Sequence, residues 1–126
     1  MEIDTSSPEP IFEQIISQVG NAILTGELQP GEKISSIRQL ALDLEVNQNT
    51  IAKAYLILEE FEIIQTRGRA GSIVSISAKE AYTNWLVSCT SIKIKEAWNR
   101  LNSLSQSRDL TKKIWTLSMK ELRDEN

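Results

Sequence analysis

Near the start of the chain, apolar residues recur every three or four positions. The stripe consists of Phe12, Ile15, Ile16, Val19 and Ile23. This spacing predicts a first helix that ends near Thr25, with Gly26 as its terminator. Residues 6–10 precede it and contain serines, an acid and two prolines, which favour a capped helix start.

After the Pro30-Gly31 break, two shorter apolar patterns follow in quick succession. The first comprises Ile37, Leu40, Ala41 and Leu44, and the second comprises Ile51, Ala54, Tyr55 and Leu58. Ser35 or Ser36 can cap the helix of the first pattern, and Asn47 can cap the helix of the second pattern. Two short helices joined by about three residues are typical of a helix-turn-helix motif.

Two β-branched runs come next. Residues 63–66 and 72–76 flank a glycine-containing loop at 67–71, a pattern that predicts a β-hairpin. Three helices followed by a hairpin is the order of a winged helix-turn-helix domain. We therefore predict a mainly α fold with one small hairpin, in which residues 1–77 form the winged domain.

From residue 78 to the end the chain contains no glycine or proline and all three tryptophans. Apolar residues at helical spacing predict two helices with a break at residues 103–107. Two such helices cannot enclose a core alone, so residues 78–126 are predicted to form a helical dimerisation arm. The residues predicted to carry dimerisation are Trp85, Ile92, Trp98, Leu101, Ile114 and Leu117.

The composition excludes several classes of function. The 126 residues include no histidine, which removes histidine-based triads and imidazole metal sites. The lone Cys89 cannot form an internal disulfide, and we expect a packed, inert thiol rather than a redox sensor. With no apolar run of spanning length and no signal-like start, we expect a soluble cytoplasmic protein without a cofactor, metal or membrane partner.

Charge is unevenly distributed along the chain. Residues 1–77 carry five basic and eleven acidic side chains, whereas residues 78–126 carry nine basic and six acidic ones. An acidic domain argues against nucleic-acid binding, since Lys and Arg supply most of the affinity for phosphates. All five basic residues of this part nevertheless lie between positions 33 and 69, where they equal the acids in number.

The predicted third helix has a polar, slender first turn. The amides of Asn47, Gln48 and Asn49 can bond an adenine edge in the major groove, while Thr50 and Lys53 can reach phosphates. In a neutral interpretation, Asn47 and Thr50 only cap a solvated helix. These residues alone leave both interpretations open.

Six short motifs stand in a characteristic order. They are PIFEQI at 10–15, GELQPGEK at 26–33, SIRQLA at 36–41, VNQNTI at 46–51, KAY at 53–55 and RGRAG at 67–71. In these motifs the sequence resembles the GntR family of transcriptional regulators over residues 8–76. The short two-helix tail is similar to the YtrA-like subfamily, whose small arm serves dimerisation.

The resemblance implies roles for individual residues. It implies that Arg38 contacts the DNA backbone and nearby bases, and that the 67–69 wing enters or borders the minor groove. It also implies that Lys53 meets phosphate, with Tyr55 in the core. The full predicted DNA-binding set is Ser36, Arg38, Asn47, Gln48, Asn49, Thr50, Lys53, Arg67, Gly68 and Arg69. Alternatively, Arg38 pairs with Asp43 or Glu45, and the wing arginines form a solvated tip.

The sequence departs from the family pattern at four positions. Ser35 and Gln48 replace common prolines, and Glu45 and Glu62 replace common glycines. We expect Glu45 either to adopt a left-handed backbone, at roughly 1 kcal/mol, or to alter the turn. Both glutamates place negative charge near the predicted DNA face.

We therefore predict a sequence-specific regulator, in its simplest form a repressor, that binds a roughly palindromic operator in double-stranded DNA as a homodimer. Any small-molecule effector would bind at the dimer interface or between arm and winged domain. The resemblance implies transporter operons as targets. The alternatives are a winged-helix protein-interaction module that does not bind DNA and, more remotely, an enzyme that uses carboxylates alone.

Overall fold

A computed structural model describes residues 1–105 and 107–124 of the chain. The elements are α1 (Ile11–Thr25), α2 (Ile37–Leu44), α3 (Gln48–Glu60), β1 (Ile64–Thr66), a 3-10 turn (Gly68–Ala70), β2 (Ser72–Val74), α4 (Ala78–Ser105) and α5 (Arg108–Asp124). The fold is mainly helical with a single two-stranded antiparallel hairpin, which confirms the predicted fold class.

Several helix ends follow the capping residues in the sequence, whereas the start of α1 does not. Ser36 caps α2 by accepting a hydrogen bond from the Gln39 N–H at 3.1 Å. At the end of α1, Gly26 adopts a left-handed φ of 84°, which a glycine tolerates without steric cost. The predicted serine cap at the start of α1 is wrong. α1 begins at Ile11, so the N-cap is Pro10, whose side chain cannot make a cap bond, and Ser6 bonds to the Asp4 carboxylate at 2.6 Å.

The core of the winged domain lies between α1, α3 and the hairpin. Its most deeply buried apolar residues are Ile15, Ile16 and Ile23 of α1, Ile51 and Leu58 of α3, and Ile63, Ile64 and Val74 of the hairpin. Every one of these belongs to an apolar pattern recognised in the sequence. The burial of these apolar side chains is the main stabilising contribution to the folded domain.

The hairpin is short and its register is simple. Ile64 pairs with Val74, Gln65 with Ile73 and Thr66 with Ser72. A third extended piece lies along the other edge of β2, where Lys33 forms an antiparallel bridge with Ile73. The wing is therefore anchored to the segment that leads into α2.

The start of α4 belongs to the same compact unit as the winged domain, Met1–Trp85. Ala78, Ala81, Tyr82 and Trp85 are buried at successive turns of this helix. Tyr82 packs directly against Gly20 of α1, where a β-carbon would overlap the tyrosine ring. The glycine that weakens α1 in isolation thus allows α4 to approach it closely.

The first residues of the chain are held on α1 by two glutamine side chains. The Gln14 amide accepts from the Asp4 N–H and donates to the Asp4 carbonyl, both at 2.9 Å. The Gln18 amide makes the same pair of hydrogen bonds with Glu2. Each amide therefore binds both backbone groups of one residue in the leading segment.

A second unit begins at Leu86 and contains the rest of α4 together with α5. Within it, Trp98 and Trp115 meet edge to face with ring centroids 5.3 Å apart. α4 ends at Ser105 and α5 begins at Arg108, inside or next to the predicted break. Among the described helices, none is both long and apolar enough to cross a bilayer.

Candidate nucleic-acid interface

The first turn of α3 is shaped by its cap. The Asn47 side-chain oxygen accepts from the Asn49 N–H at 2.7 Å, and the Asn47 carbonyl accepts from the Thr50 N–H at 3.1 Å. Asn47 thus has the capping role of the neutral interpretation. Gln48 and Asn49 are exposed, and neither side chain has a hydrogen-bond partner among the described residues.

These two amides share a shallow, open depression with α2 and the wing, which we call the recognition surface. It is lined by Ser36, Ile37, Arg38, Gln48, Asn49, Ala52, Tyr55, Gly71 and Ser72. Four predicted DNA-binding residues therefore lie on one face. They are Ser36 and Arg38 at the start of α2, and Gln48 and Asn49 at the start of α3. Ala52 keeps the surface open because its side chain is small.

Arg38 supplies the positive charge of the recognition surface. It lies in α2 and is exposed, and no ion pair engages it within the described part of the chain. The alternative in which it pairs with Asp43 or Glu45 is not realised among the described residues, and Asp43 accepts from Gln39 Nε2 at 2.8 Å. An unpaired guanidinium beside two free amides suits contacts to a phosphate and a base edge.

Tyr55 fixes the relation between the two helices beneath this surface. Its hydroxyl donates to the Ser35 carbonyl at 2.6 Å, directly before the α2 cap. Burial raises the pKa of Tyr55 to about 12, so the phenol stays protonated and keeps donating at neutral pH. The sequence predicted Tyr55 as a core residue and gave no signal for this hydrogen bond.

Three predicted residues lie in the wing itself. The Arg67 N–H donates to the Gly71 carbonyl at 2.7 Å, and its Nη2 donates to Gln65 Oε1 at 3.1 Å. Gly68 adopts a φ of 53°, which the turn needs and glycine accommodates. Arg67 and Arg69 are both exposed. The wing thus presents two arginines on a tightly hydrogen-bonded turn.

Lys53 is placed differently from the other predicted residues. Its ammonium lies 4.0 Å from the centre of the Phe12 ring of α1, which is cation–π geometry. Lys53 does not line the recognition surface, and Thr50, which is half-buried, does not line it either. The Lys53 ammonium therefore packs on the Phe12 ring of α1 and lies outside the recognition surface.

Glu45 and Glu62 both adopt left-handed backbone conformations, with φ of 54° and 61°. Of the two outcomes expected for Glu45, the structure has the left-handed one. Neither glutamate lines the recognition surface. Their carboxylates therefore do not occupy the recognition surface.

The residues predicted for dimerisation divide between the two units. Trp85 is buried in the first unit and stacks on Tyr82 at 5.8 Å between ring centroids. The other five belong to the second unit, where Leu101 and Ile114 line an apolar groove with Trp115. Ile92 and Leu117 are more than half exposed, at 59% and 54%.

Within residues 1–105 and 107–124, no group of three or more Cys, Asp or Glu side chains is placed to hold a metal ion. Cys89 is half-buried in α4.

The family model described as "Bacterial regulatory proteins, gntR family" matches residues 11–74, which cover α1 to β2. The chain belongs to the GntR family. Its matched region contains the recognition surface and the whole wing.

Individual GntR relatives extend this comparison. The HTH-type transcriptional repressor YtrA of Bacillus subtilis is 43% identical over 79 residues, which are 63% of this chain and 61% of the repressor. The chain thus matches less than two thirds of that relative's length.

Solved structures of similar proteins reach into the C-terminal helices. YtrA of Sulfolobus acidocaldarius, a GntR-family transcription factor, is 32% identical with a TM-score of 0.60 and covers 85% of this chain and 100% of its own. A Listeria monocytogenes protein described as a transcriptional antiterminator is 33% identical with a TM-score of 0.66, covering 98% of this chain and 90% of its own.

Proposed function

We propose that this GntR-family protein binds double-stranded DNA in a sequence-specific manner and regulates transcription, most simply as a repressor. The recognition surface carries the proposal: Arg38, unpaired among the described residues, lies beside the free amides of Gln48 and Asn49 at the start of α3. A helix that presents amides at its N-terminal end fits the major groove, and the neighbouring Arg38 of α2 can contact a phosphate or a base edge. The repressor name of the Bacillus relative supports the sign of regulation.

The wing adds a second contact to DNA in this proposal. Arg67 and Arg69 project from a turn whose shape Gly68 and Gly71 permit through positive φ angles. Arginines on a narrow loop can border a minor groove, where negative potential is concentrated. α3 would thus read base edges while the wing positions the domain on the duplex.

We further propose that the protein acts as a homodimer through its second unit. Large apolar side chains of this unit are exposed, among them Val87 at 60% and Leu104 at 72%. Few basic groups per chain give weak binding by one protomer, and linking two half-sites raises affinity through effective concentration. A homodimer implies a roughly palindromic operator.

The proposed site of action is the cytoplasm, where bacterial promoter DNA is found. Transporter operons are the target class that the YtrA-like resemblance suggests. Any small-molecule effector would bind at the dimer interface. We propose no enzymatic role, since the matching family model describes regulatory proteins.

DNA binding can be tested with a labelled duplex from the region upstream of the protein's own gene. We expect Arg38→Ala to weaken binding by about 1–3 kcal/mol, because it removes a charged contact to the duplex. Fluorescence anisotropy at two salt concentrations measures this loss. Arg108→Ala, which removes the same charge from the first residue of α5, is the matched control and should bind like the wild type.

One observation favours a second function, docking onto another protein. Leu56 and Phe61 are exposed, at 57% and 40%, next to Glu59, Glu60 and Glu62. A folded protein that selects no duplex from a random library would contradict DNA binding and support this alternative. Selection of one sequence family, with loss on Arg38→Ala, would exclude it.

A further inference from the structure

The segment that leads into α2 forms a third strand-like piece of the wing. The Gly31 N–H donates to the Val74 carbonyl at 2.8 Å, and the Val74 N–H donates to the Glu32 carbonyl at 2.9 Å. The Ile34 N–H donates to the Ser72 carbonyl at 3.0 Å. Lys33 lies between these bonds, in the bridge with Ile73.

This register places Lys33 and Arg67 on the same face of the wing. Cross-strand partners share a face, so Lys33, Ile73 and Gln65 lie on one side. The Arg67 side chain lies on that side as well, because its Nη2 donates to Gln65 Oε1 at 3.1 Å. Both cations are exposed.

The Lys33 side chain crosses Gly71. A β-carbon built at Gly71 would lie 3.1 Å from Lys33 Cε and 3.9 Å from its Nζ. Gly71 accepts the backbone bond from Arg67 and also lines the recognition surface. The lysine ammonium is thereby carried toward the turn that holds the wing arginines.

No described acid neutralises this ammonium. Lys33 makes no ion pair with the residues that the structure describes. The adjacent Glu32 carboxylate accepts from the Gln29 N–H at 3.2 Å, in the turn before the wing. An exposed cation held at the wing, beside the recognition surface, is positioned for an anion.

We propose that Lys33 binds a DNA backbone phosphate beside the wing, and that glycine at position 71, which the φ of 81° already favours, also leaves room for the lysine side chain. This inference rests on the proposed DNA binding. Lys33 is absent from the set of DNA-binding residues that the sequence predicted, because it lies before α2 and its neighbour Glu32 is acidic.

The test compares the full chain with Lys33→Gln on its selected operator across a series of salt concentrations. We expect the slope of log affinity against log salt to fall by about 0.9 per bound protomer, the value for one lost phosphate contact. Affinity should fall by the same factor on operators with single base changes, since a phosphate contact carries no sequence information. Lys79→Gln, exposed in the first turn of α4, is the control.

An unchanged slope and affinity in Lys33→Gln overturns the inference while leaving DNA binding intact. Absence of binding by the wild type on every duplex overturns the proposed function and this inference with it. The two failures are therefore distinguishable in one titration.

Gly71→Ala tests the second half of the proposal. Because φ at Gly71 is 81°, alanine also strains the backbone, so the variant is measured in both the wild-type and Lys33→Gln backgrounds. We expect the affinity loss from Gly71→Ala to be several-fold smaller when Lys33 is already absent. Equal losses in both backgrounds would show that position 71 does not act through the lysine.

Discussion

At the residue scale, two glutamates occupy positions that favour glycine. Glu45 follows α2 and Glu62 follows α3, and both have positive φ angles. A residue with a β-carbon in this region is strained by about 1 kcal/mol or more. Each turn therefore keeps its backbone conformation at a cost in folding free energy. The sequence predicted this cost at Glu45, where glutamate replaces the glycine that is common in the family.

Replacing Glu45 with glycine should stabilise the protein. We expect Glu45→Gly to raise the free energy of unfolding by about 0.5–1 kcal/mol, since glycine relieves the backbone strain. Part of this gain is lost because glycine increases the conformational entropy of the unfolded chain. Urea denaturation measures the change. Glu45→Gln separates charge from backbone, and Glu59→Gly, inside α3, should destabilise by about 1 kcal/mol.

At the element scale, the spacing of apolar residues located every helix of the winged domain, but it did not predict the contacts between helices. The apolar stripes of α1 and α3 predicted buried residues correctly except for Phe12, which is half-buried, because burial follows helical spacing. The role of Gly20 was not predictable, since a glycine within a helix looks only like a weak position until Tyr82 of α4 is placed against it.

The recognition surface shows the same division. The first turn of α3 was predicted from its polar residues, and Arg38 from the family resemblance. Gly71, Ser72 and Lys33 depend on strand pairing in space, which no local pattern specifies. Sequence therefore predicted the helical half of the interface and the arginines of the wing.

Gly20→Ala tests the α1–α4 contact. Alanine favours a helix by about 1 kcal/mol, yet the added methyl must displace the Tyr82 ring, and overpacking costs about 1–3 kcal/mol. We expect a net loss of stability in thermal unfolding. Asn21→Ala, exposed in the same helix, should be neutral or slightly stabilising. A gain for Gly20→Ala as large as helix propensity alone provides would contradict the close contact.

At the scale of the whole molecule, the two units differ in how much apolar surface they expose. The first encloses a core of its own, whereas the second presents large apolar residues along both helices. Apolar patches of this kind mark surfaces that bind other proteins. The proposed occupant is the second unit of another copy.

Leu117→Glu should shift the protein toward monomer. Leu117 is 54% exposed in α5, so a charge there is tolerated in a monomer and becomes costly only when buried in a dimer. Analytical ultracentrifugation across concentrations measures the change. Leu42→Glu, at 65% exposure in α2, adds the same charge to the first unit and should leave the oligomeric state unaltered. A wild type that stays monomeric at every concentration would refute the homodimer.

The paired glutamine amides on α1 have a geometric consequence. Gln14 and Gln18 are separated along the helix axis by about 6 Å, and two residues of an extended chain advance by about 6.6 Å. One helical turn thus matches every second residue of a neighbouring chain. Because the higher-numbered glutamine binds the lower-numbered residue, that chain runs opposite to the helix. The two amides pair with the backbone N–H and C=O groups of residues 2 and 4, as a neighbouring antiparallel strand would. A shift of the leading segment by one residue along α1 would break both pairs of hydrogen bonds together.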